Sequence, residues 1–254
     1  MTSRVTLELR PSVAYITLHH PPLNVIDIPM MQELSGALAE ADKHGKISTI
    51  VFQGEGKCFS AGVDVAAHAS DQVASMLRDF HGVLNSIVSS RKVTIAQVHG
   101  RCLGGGAELA MVCDMAFTAE DATWGFPEIK LGCYPPAAAT ALAAVVGQKM
   151  AAELILTGRN FSGDEAARIG LANRAVSEGE LPGVVEEVVA SLSKLSPAVL
   201  ATTKSAMYAW NAVHFDKGLA RAEKIYLEDL MKTEDAHEGI AAFLGKRKPV
   251  WTGK

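Results

Sequence analysis

The feature that most constrains this chain is the run Val98-His-Gly-Arg-Cys-Leu-Gly-Gly-Gly-Ala-Glu-Leu-Ala. Val93 to Val98 predicts a strand and Ala107 to Cys113 a short helix, with the glycine-rich loop Gly100 to Gly106 between them. Gly104, Gly105 and Gly106 stand where strand hands over to helix. Glycine admits backbone conformations closed to other residues and lets a ligand approach the main chain. The first N–H groups of a helix lack internal partners, and the helix dipole favours negative charge there. Such a turn suits a phosphate, or an oxyanion that develops during a reaction. Tight packing of strand on helix is the plainer alternative. Two nucleotide signatures fail at this loop. A dinucleotide fingerprint needs Gly or Ala where Leu109 stands, and no Gly-Lys-Ser/Thr follows for a Walker loop.

Strands and helices alternate along the rest of the chain. Val5 to Leu9 and Ala14 to Leu18 read as strands joined by Arg10-Pro11-Ser12. Met30 to His44 carries apolar residues at helical spacing and stops at Gly45, and Ser48 to Phe52 reads as a strand. Asp71 is placed to cap a helix reaching Ser90, with Val73, Leu77, Phe80, Leu84, Ile87 and Val88 as its inward stripe. Asp114 to Thr118 reads as a strand and Trp124-Gly-Phe-Pro as a turn. From Pro135 the pattern is mostly helical, ending in helices over 198–213, 215–231 and 235–244. The expected class is α/β, with a core over residues 1–193 and a helical region over 194–254.

Composition narrows the function. Of 254 residues, 48% are hydrophobic and 20% charged, which excludes a disordered chain or a coiled coil. A net charge of −4 argues against nucleic acid as the main partner. No apolar run reaches the roughly 18 residues that span a bilayer. Arg4 stands where a secretory signal would have its apolar core, so a soluble cytoplasmic protein is expected. Cys58, Cys102, Cys113 and Cys133 show no Cys-x-x-Cys spacing and are expected to be reduced, mostly buried thiols. With the histidines scattered as well, no metal site is expected.

Two carboxylates stand out. Glu108 lies two residues past the last glycine, in a stretch otherwise apolar, small or glycine. A carboxylate in such surroundings has a raised pKa and suits proton transfer. Glu128 follows Pro127 in Gly-Phe-Pro-Glu-Ile-Lys-Leu-Gly. Each glutamate taken singly also reads as a surface acid. Lys57-Cys-Phe-Ser-Ala-Gly-Val-Asp is a second strand exit, whose N–H groups around Ala61 and Gly62 can supply another oxyanion donor.

These three segments in this order resemble the crotonase superfamily, the enoyl-CoA hydratases and isomerases. Thr157-Gly158-Arg159, the Ala166-to-Leu171 stretch and the ending from Glu238 to Val250 fit the same pattern. The resemblance implies a crotonase-like spiral of ββα units with a C-terminal helical trimerisation region, and self-association as a homotrimer or hexamer. It implies an acyl-CoA substrate, with coenzyme A part of the substrate rather than a cofactor. The thioester oxygen would be held by the N–H groups of Val63 and Gly105, and Glu108 and Glu128 would be the two hydratase glutamates. Ser60, Ala61, Gly62, Asp64, Val65 and Gly104 would line the substrate site; the last fourteen residues, with Lys246, Arg247, Lys248 and Lys254 and no acid, read either as a solvated tail or as a basic patch that attracts coenzyme A phosphates.

One segment departs from ordinary enoyl-CoA hydratases. Gly132-Cys-Tyr-Pro-Pro-Ala-Ala-Ala-Thr has two prolines and an alanine run where those enzymes have a glycine-rich loop, implying a stiffer wall and a reshaped acyl pocket. With Cys102-Leu-Gly-Gly-Gly, residues 71–82 and Tyr226-Leu-Glu-Asp-Leu-Met, it resembles the cyclohexa-1,5-diene-1-carbonyl-CoA hydratases of anaerobic aromatic degradation. The rivals are a short-chain 2-enoyl-CoA hydratase, a double-bond isomerase and a hydrolase. An RNA-binding member of the superfamily is a rival of another class. It would need a lysine-rich helix, whereas Met30 to His44 has one Lys and no Arg.

Overall fold

The structure, a computed structural model, describes residues 3–68, 71–209 and 211–254. In chain order the first half runs β1 (Val5–Arg10), β2 (Val13–Leu18), α1 (Ile28–Lys43), β3 (Thr49–Gly54), α2 (Val73–Ser89), β4 (Val93–Val98), β5 (Arg101–Leu103) and α3 (Gly105–Met111). The second half runs β6 (Met115–Ala119), β7 (Thr123–Gly125), α4 (Pro136–Val146), α5 (Gln148–Thr157), β8 (Asn160–Ser162), α6 (Gly163–Arg168), β9 (Arg174–Val176) and α7 (Leu181–Leu192). Three helices close the chain: α8 (Pro197–Tyr208), α9 (Asn211–Glu228) and α10 (Glu234–Leu244).

The strands fall into two sheets. The larger has the order β1-β2-β3-β4-β6-β9, parallel from β2 onward, and the smaller has β5-β7-β8. Strands β4 and β6 in the large sheet are each followed at once by a small-sheet strand, β5 and β7. Ser60 makes the same step after β3 through an isolated parallel bridge to Cys102. Each turn of chain thus puts one segment in each sheet, which is the expected spiral of ββα units.

Burial explains the strand sequences. Ile50, Val51 and Phe52 of β3 and Ile95 and Ala96 of β4 have no exposed surface, as a parallel sheet covered on both faces requires. On α1, Asp27 caps the Met30 N–H, and Met30, Met31, Leu34, Leu38 and Ala41 are buried. On α2 the expected stripe from Val73 to Ile87 is buried, and its last member, Val88, is half-buried. Its start differs: the helix begins at Val73 with Gln72 at its cap position and no side-chain cap bond, so Asp71 does not cap it. The expected turn at Trp124 is instead β7. Ladder bonds to β5 and β8 hold it, and the buried Trp124 indole donates to Thr118 Oγ1 at 3.0 Å. Strands of three residues, such as β5, lie below what alternation can reveal. All four cysteines are buried free thiols. No helix among the described residues is long and apolar enough to cross a membrane.

Candidate active site

Two backbone turns meet beside the small sheet. One carries Gly62 and Val63, the other Gly104 and Gly105 at the head of α3. Gly62 has φ 104°, and a Cβ there would lie 2.8 Å from the Leu103 carbonyl oxygen. A Cβ on Gly105 would lie 2.6 Å from Val63 Cγ2 and 3.0 Å from the Phe80 ring. The turns approach too closely for a side chain at either position. Their neighbouring N–H groups are committed. Gly62 donates to Ser60 Oγ, Asp64 to Ile26 O, Gly104 to Gly125 O and Glu108 to Gly104 O. The N–H groups of Val63 and Gly105 between them have no acceptor among the described residues.

Glu108 stands in the first turn of α3 and is 3% exposed. Its Oε1 accepts the Ala138 N–H at 2.9 Å. The Pro-Pro-Ala-Ala-Ala segment is therefore the head of a helix rather than a loop. Pro136 occupies the first turn of α4, where its missing N–H costs nothing. The unpaired N–H groups of that turn face the carboxylate. Burial pushes the Glu108 carboxyl well above the usual carboxylate range, and the Ala138 and Ala137 N–H groups pull it part of the way back.

Glu128 comes from the short 3₁₀ turn Pro127–Leu131 that follows β7. A Cβ on Gly104, which has φ 51°, would stand 2.6 Å from Glu128 Oε1, so this glycine makes room for the carboxylate. Glu128 Oε2 is buried without a partner. Burial raises this carboxyl, and the charge of Glu108 raises it further. The two carboxyls are thus unequal: helix N–H groups favour charge on Glu108, whereas on Glu128 burial and the Glu108 charge outweigh the pull of its own backbone N–H.

Both glutamates, Val63 and Gly105 line a cavity of about 80 Å³, together with Ala61, Gly62, Val65 and Gly104. Leu77 and Phe80 of α2, read from the sequence only as core, also form its wall, as does Tyr134. Helical spacing shows that such residues face inward, but not that a cavity lies there.

Four expected site residues stand elsewhere. Ser60 is fully buried; its hydroxyl donates to Asn24 O at 2.7 Å and accepts the Gly62 N–H, so it holds the turn together. Asp64 Oδ1 accepts the Ala66 N–H at 3.0 Å, shaping the next turn. Lys246 and Arg247 lie outside the cavity wall, and the Arg247 guanidinium already pairs with Glu238. Among the described residues no group of three or more His, Cys, Asp or Glu side chains is placed to hold a metal ion.

Residues 8–254 match the enoyl-CoA hydratase/isomerase family. The chain belongs to that family. It is 36% identical to a probable enoyl-CoA hydratase of Bacillus subtilis, over 98% of this chain and 99% of that one. It is 34% identical to the cyclohexa-1,5-dienecarbonyl-CoA hydratase of Thauera aromatica, over 99% and 97%. Among solved structures it resembles an enoyl-CoA hydratase from Mycobacterium avium subsp. paratuberculosis, with a TM-score of 0.89 at 25% identity over 99% and 100%. This member of the enoyl-CoA hydratase/isomerase family is an enzyme of the hydro-lyase class.

The Glu128 environment predicts a pH-dependent cost to stability. A carboxyl whose pKa is raised by folding destabilises the folded state increasingly as pH climbs from the unfolded value, near 4.3, through the folded value. Glu128→Gln removes the buried charge but keeps the shape. Its melting temperature should match wild type at pH 4 and exceed it at pH 8, by about 2–4 °C for each kcal/mol relieved. Calorimetry at the two pH values checks this, and a variant less stable than wild type at pH 8 would contradict the assigned shift.

Proposed function

We propose that this enzyme adds water to a conjugated enoyl- or dienoyl-CoA thioester, with cyclohexa-1,5-diene-1-carbonyl-CoA as its substrate and 6-hydroxycyclohex-1-ene-1-carbonyl-CoA as product. One observation carries the reading: two unequal buried carboxyls face two uncommitted backbone N–H groups in one compact cavity. The Val63 and Gly105 N–H groups hold the thioester oxygen and stabilise the enolate that forms on it. Glu108, the carboxyl more easily ionised, orients and deprotonates the water. Glu128, the one more easily kept protonated, donates the proton. In the cyclic diene, water attacks the carbon β to the carbonyl. The electron pair moves through the dienolate, and the proton adds at the far end of the second double bond.

Pro135 and Pro136 stiffen the cavity wall, which suits a rigid ring. The resemblance to the Thauera aromatica enzyme adds weight to the ring and supports our reading that the reaction serves anaerobic aromatic degradation. A short linear 2-enoyl-CoA is the second reading, favoured by the equally close probable enoyl-CoA hydratase of Bacillus subtilis. A panel of linear and cyclic enoyl-CoAs, compared by kcat/KM, tests the choice. We expect the cyclic diene to lead crotonyl-CoA by at least 10-fold, about 1.4 kcal/mol of transition-state binding. A linear substrate in the lead would overturn the ring.

Coenzyme A is read as part of the substrate, and its phosphates as partners for the exposed basic tail at Lys246 and Lys248, with Arg247 contributing less because Glu238 pairs it. Exposed apolar residues such as Val199 and Met207 on α8 fit burial in a homotrimer or hexamer, which light scattering in solution would measure.

A further inference from the structure

Glu128 Oε2 is buried without a partner, so the packing of its turn, rather than a hydrogen bond from elsewhere in the fold, places this carboxyl. Close contacts seat the turn Pro127–Leu131 on two sides. On one, a Cβ on Gly158, at the end of α5, would lie 2.8 Å from Ile129 Cγ2 and 3.4 Å from Pro127 Cα. On the other, α10 lies backbone against backbone. A Cβ on Gly239 would overlap the Leu131 carbonyl and stand 2.8 Å from the Gly132 nitrogen. A Cβ on Gly132, which has φ 70°, would stand 2.7 Å from Asp235 O. With no side chain between them, a shift of α10 passes directly to the turn that carries Glu128.

Residues 247–254 fold back along α10 and fasten to two of its acids. The Arg247 guanidinium donates twice to the Glu238 carboxylate, at 2.5 and 2.7 Å, and the Val250 N–H joins at 2.8 Å. Asp235 accepts the Thr252 N–H at 2.6 Å, the Thr252 hydroxyl at 3.0 Å and the Gly253 N–H at 2.9 Å. Its own N–H donates to Lys254 O at 3.2 Å. A single exposed ion pair contributes little, but these bonds converge on two carboxylates one helical turn apart, and one pair is bidentate. Asp235 and Glu238 flank the stretch of α10 that touches the turn, since Gly239 follows one acid and Gly132 packs on the other.

We propose that α10, strapped by residues 247–254, holds Glu128 in its working position, with Gly239 as the contact and Asp235, Glu238 and Arg247 as positioning residues acting through it. This rests on the two-carboxyl reading given above and adds the part of the chain that fixes one carboxyl against the other.

The pH dependence of kcat tests it, because a merely structural defect lowers the rate without moving either limb. The basic limb marks ionisation of Glu128 and the acidic limb that of Glu108. The titratable groups that act on Glu128 are Glu108, Cys133 and Tyr226. Burial keeps the thiol and the phenol protonated, so the basic limb reports how Glu128 sits in its pocket and against Glu108. Gly239→Ala should lower kcat about 10²-fold, the cost of misplacing a reacting group by about an ångström. Its basic limb should move by about half a pH unit or more, its acidic limb should stay, and KM should change only a few-fold. Asp235→Asn with Glu238→Gln loosens the strap through partly exposed groups and leaves every lysine of the tail in place. This double variant should lower kcat about 3-fold or more and move the same limb, and it decides the matter if Gly239→Ala fails to fold. Wild-type kcat in either variant would overturn the inference, and so would a lower kcat with both limbs unmoved. A wild-type profile with no basic limb would instead bring down the two-carboxyl reading itself.

Discussion

Glu108→Gln and Glu128→Gln should each lower kcat for hydration by at least about 10²-fold, the lower end of general acid–base catalysis. Glutamine fills the same volume and removes only the exchangeable proton. Affinity for the thioester should change far less, because neither substitution alters the N–H groups of Val63 and Gly105. The two variants should differ in pH profile. Wild type needs one proton on the pair, so its rate falls when both carboxyls are protonated and again when both are ionised. Both limits should lie above the ordinary carboxylate range, because burial raises both groups. Residual rate in Glu128→Gln should keep only the acidic limb, and that limb should stay near its wild-type position, since Glu128 is still protonated and uncharged when Glu108 ionises. Stopped assays across pH, with products resolved by mass, measure both effects. Near-normal hydration by Glu128→Gln would leave one carboxylate in the reaction and favour an isomerase or hydrolase using Glu108 alone.

Gly105→Ala should be nearly as damaging, although it adds one methyl group. Its Cβ would stand 2.6 Å from Val63 Cγ2, forcing apart the two turns that present the paired N–H groups. Removing one donor of this kind typically costs about 10²–10³ in rate. Displacing one by an ångström is expected to approach that loss, with kcat falling more than affinity for coenzyme A. Val63→Ala removes the obstructing methyl while keeping the backbone N–H, so the double variant should regain most of the lost kcat. The nearby Phe80 contact is with a ring edge that can shift. Such rescue separates a geometric defect at the oxygen site from general misfolding. Full activity in Gly105→Ala, or a double variant no better than the single, would remove these amides from the reaction.

The residues that dictate local backbone were the legible ones. Gly104 and Gly105 announced a close approach at a strand-to-helix turn, and the structure supplies it through the Val63 side chain and the Glu128 carboxylate. Glu108 was conspicuous because its neighbours are apolar, and those neighbours bury it. What pairs with what across the fold left no local trace. That Ala138, in the first turn of a distant helix, donates to Glu108 follows from the packing of α4 on α3, which no spacing encodes. His81 lies within the helix predicted up to Ser90 and carries no signal of its own until Glu223, 142 residues later, is found beside it. Ser60 shows the converse: it sits in the motif most suggestive of substrate contact, yet its hydroxyl is spent on Asn24 and Gly62. The missed strand β7 and the cap misplaced at Asp71 share a cause. Ladder partners and helix starts are decided by neighbours in space, within margins of a few residues.

The central claim is that this site adds water to the acyl group and leaves the thioester intact. One measurement separates it from every rival reaction of the family: turnover of the cyclic diene, and of crotonyl-CoA, in water labelled with heavy oxygen, followed by mass analysis of all products. Addition steered by Glu108 and Glu128 places one heavy oxygen in a hydroxyl on the acyl group, with coenzyme A still attached. Heavy oxygen in a free carboxylate with released coenzyme A would make the enzyme a hydrolase, and a rearranged thioester without heavy oxygen an isomerase; either result would contradict the account.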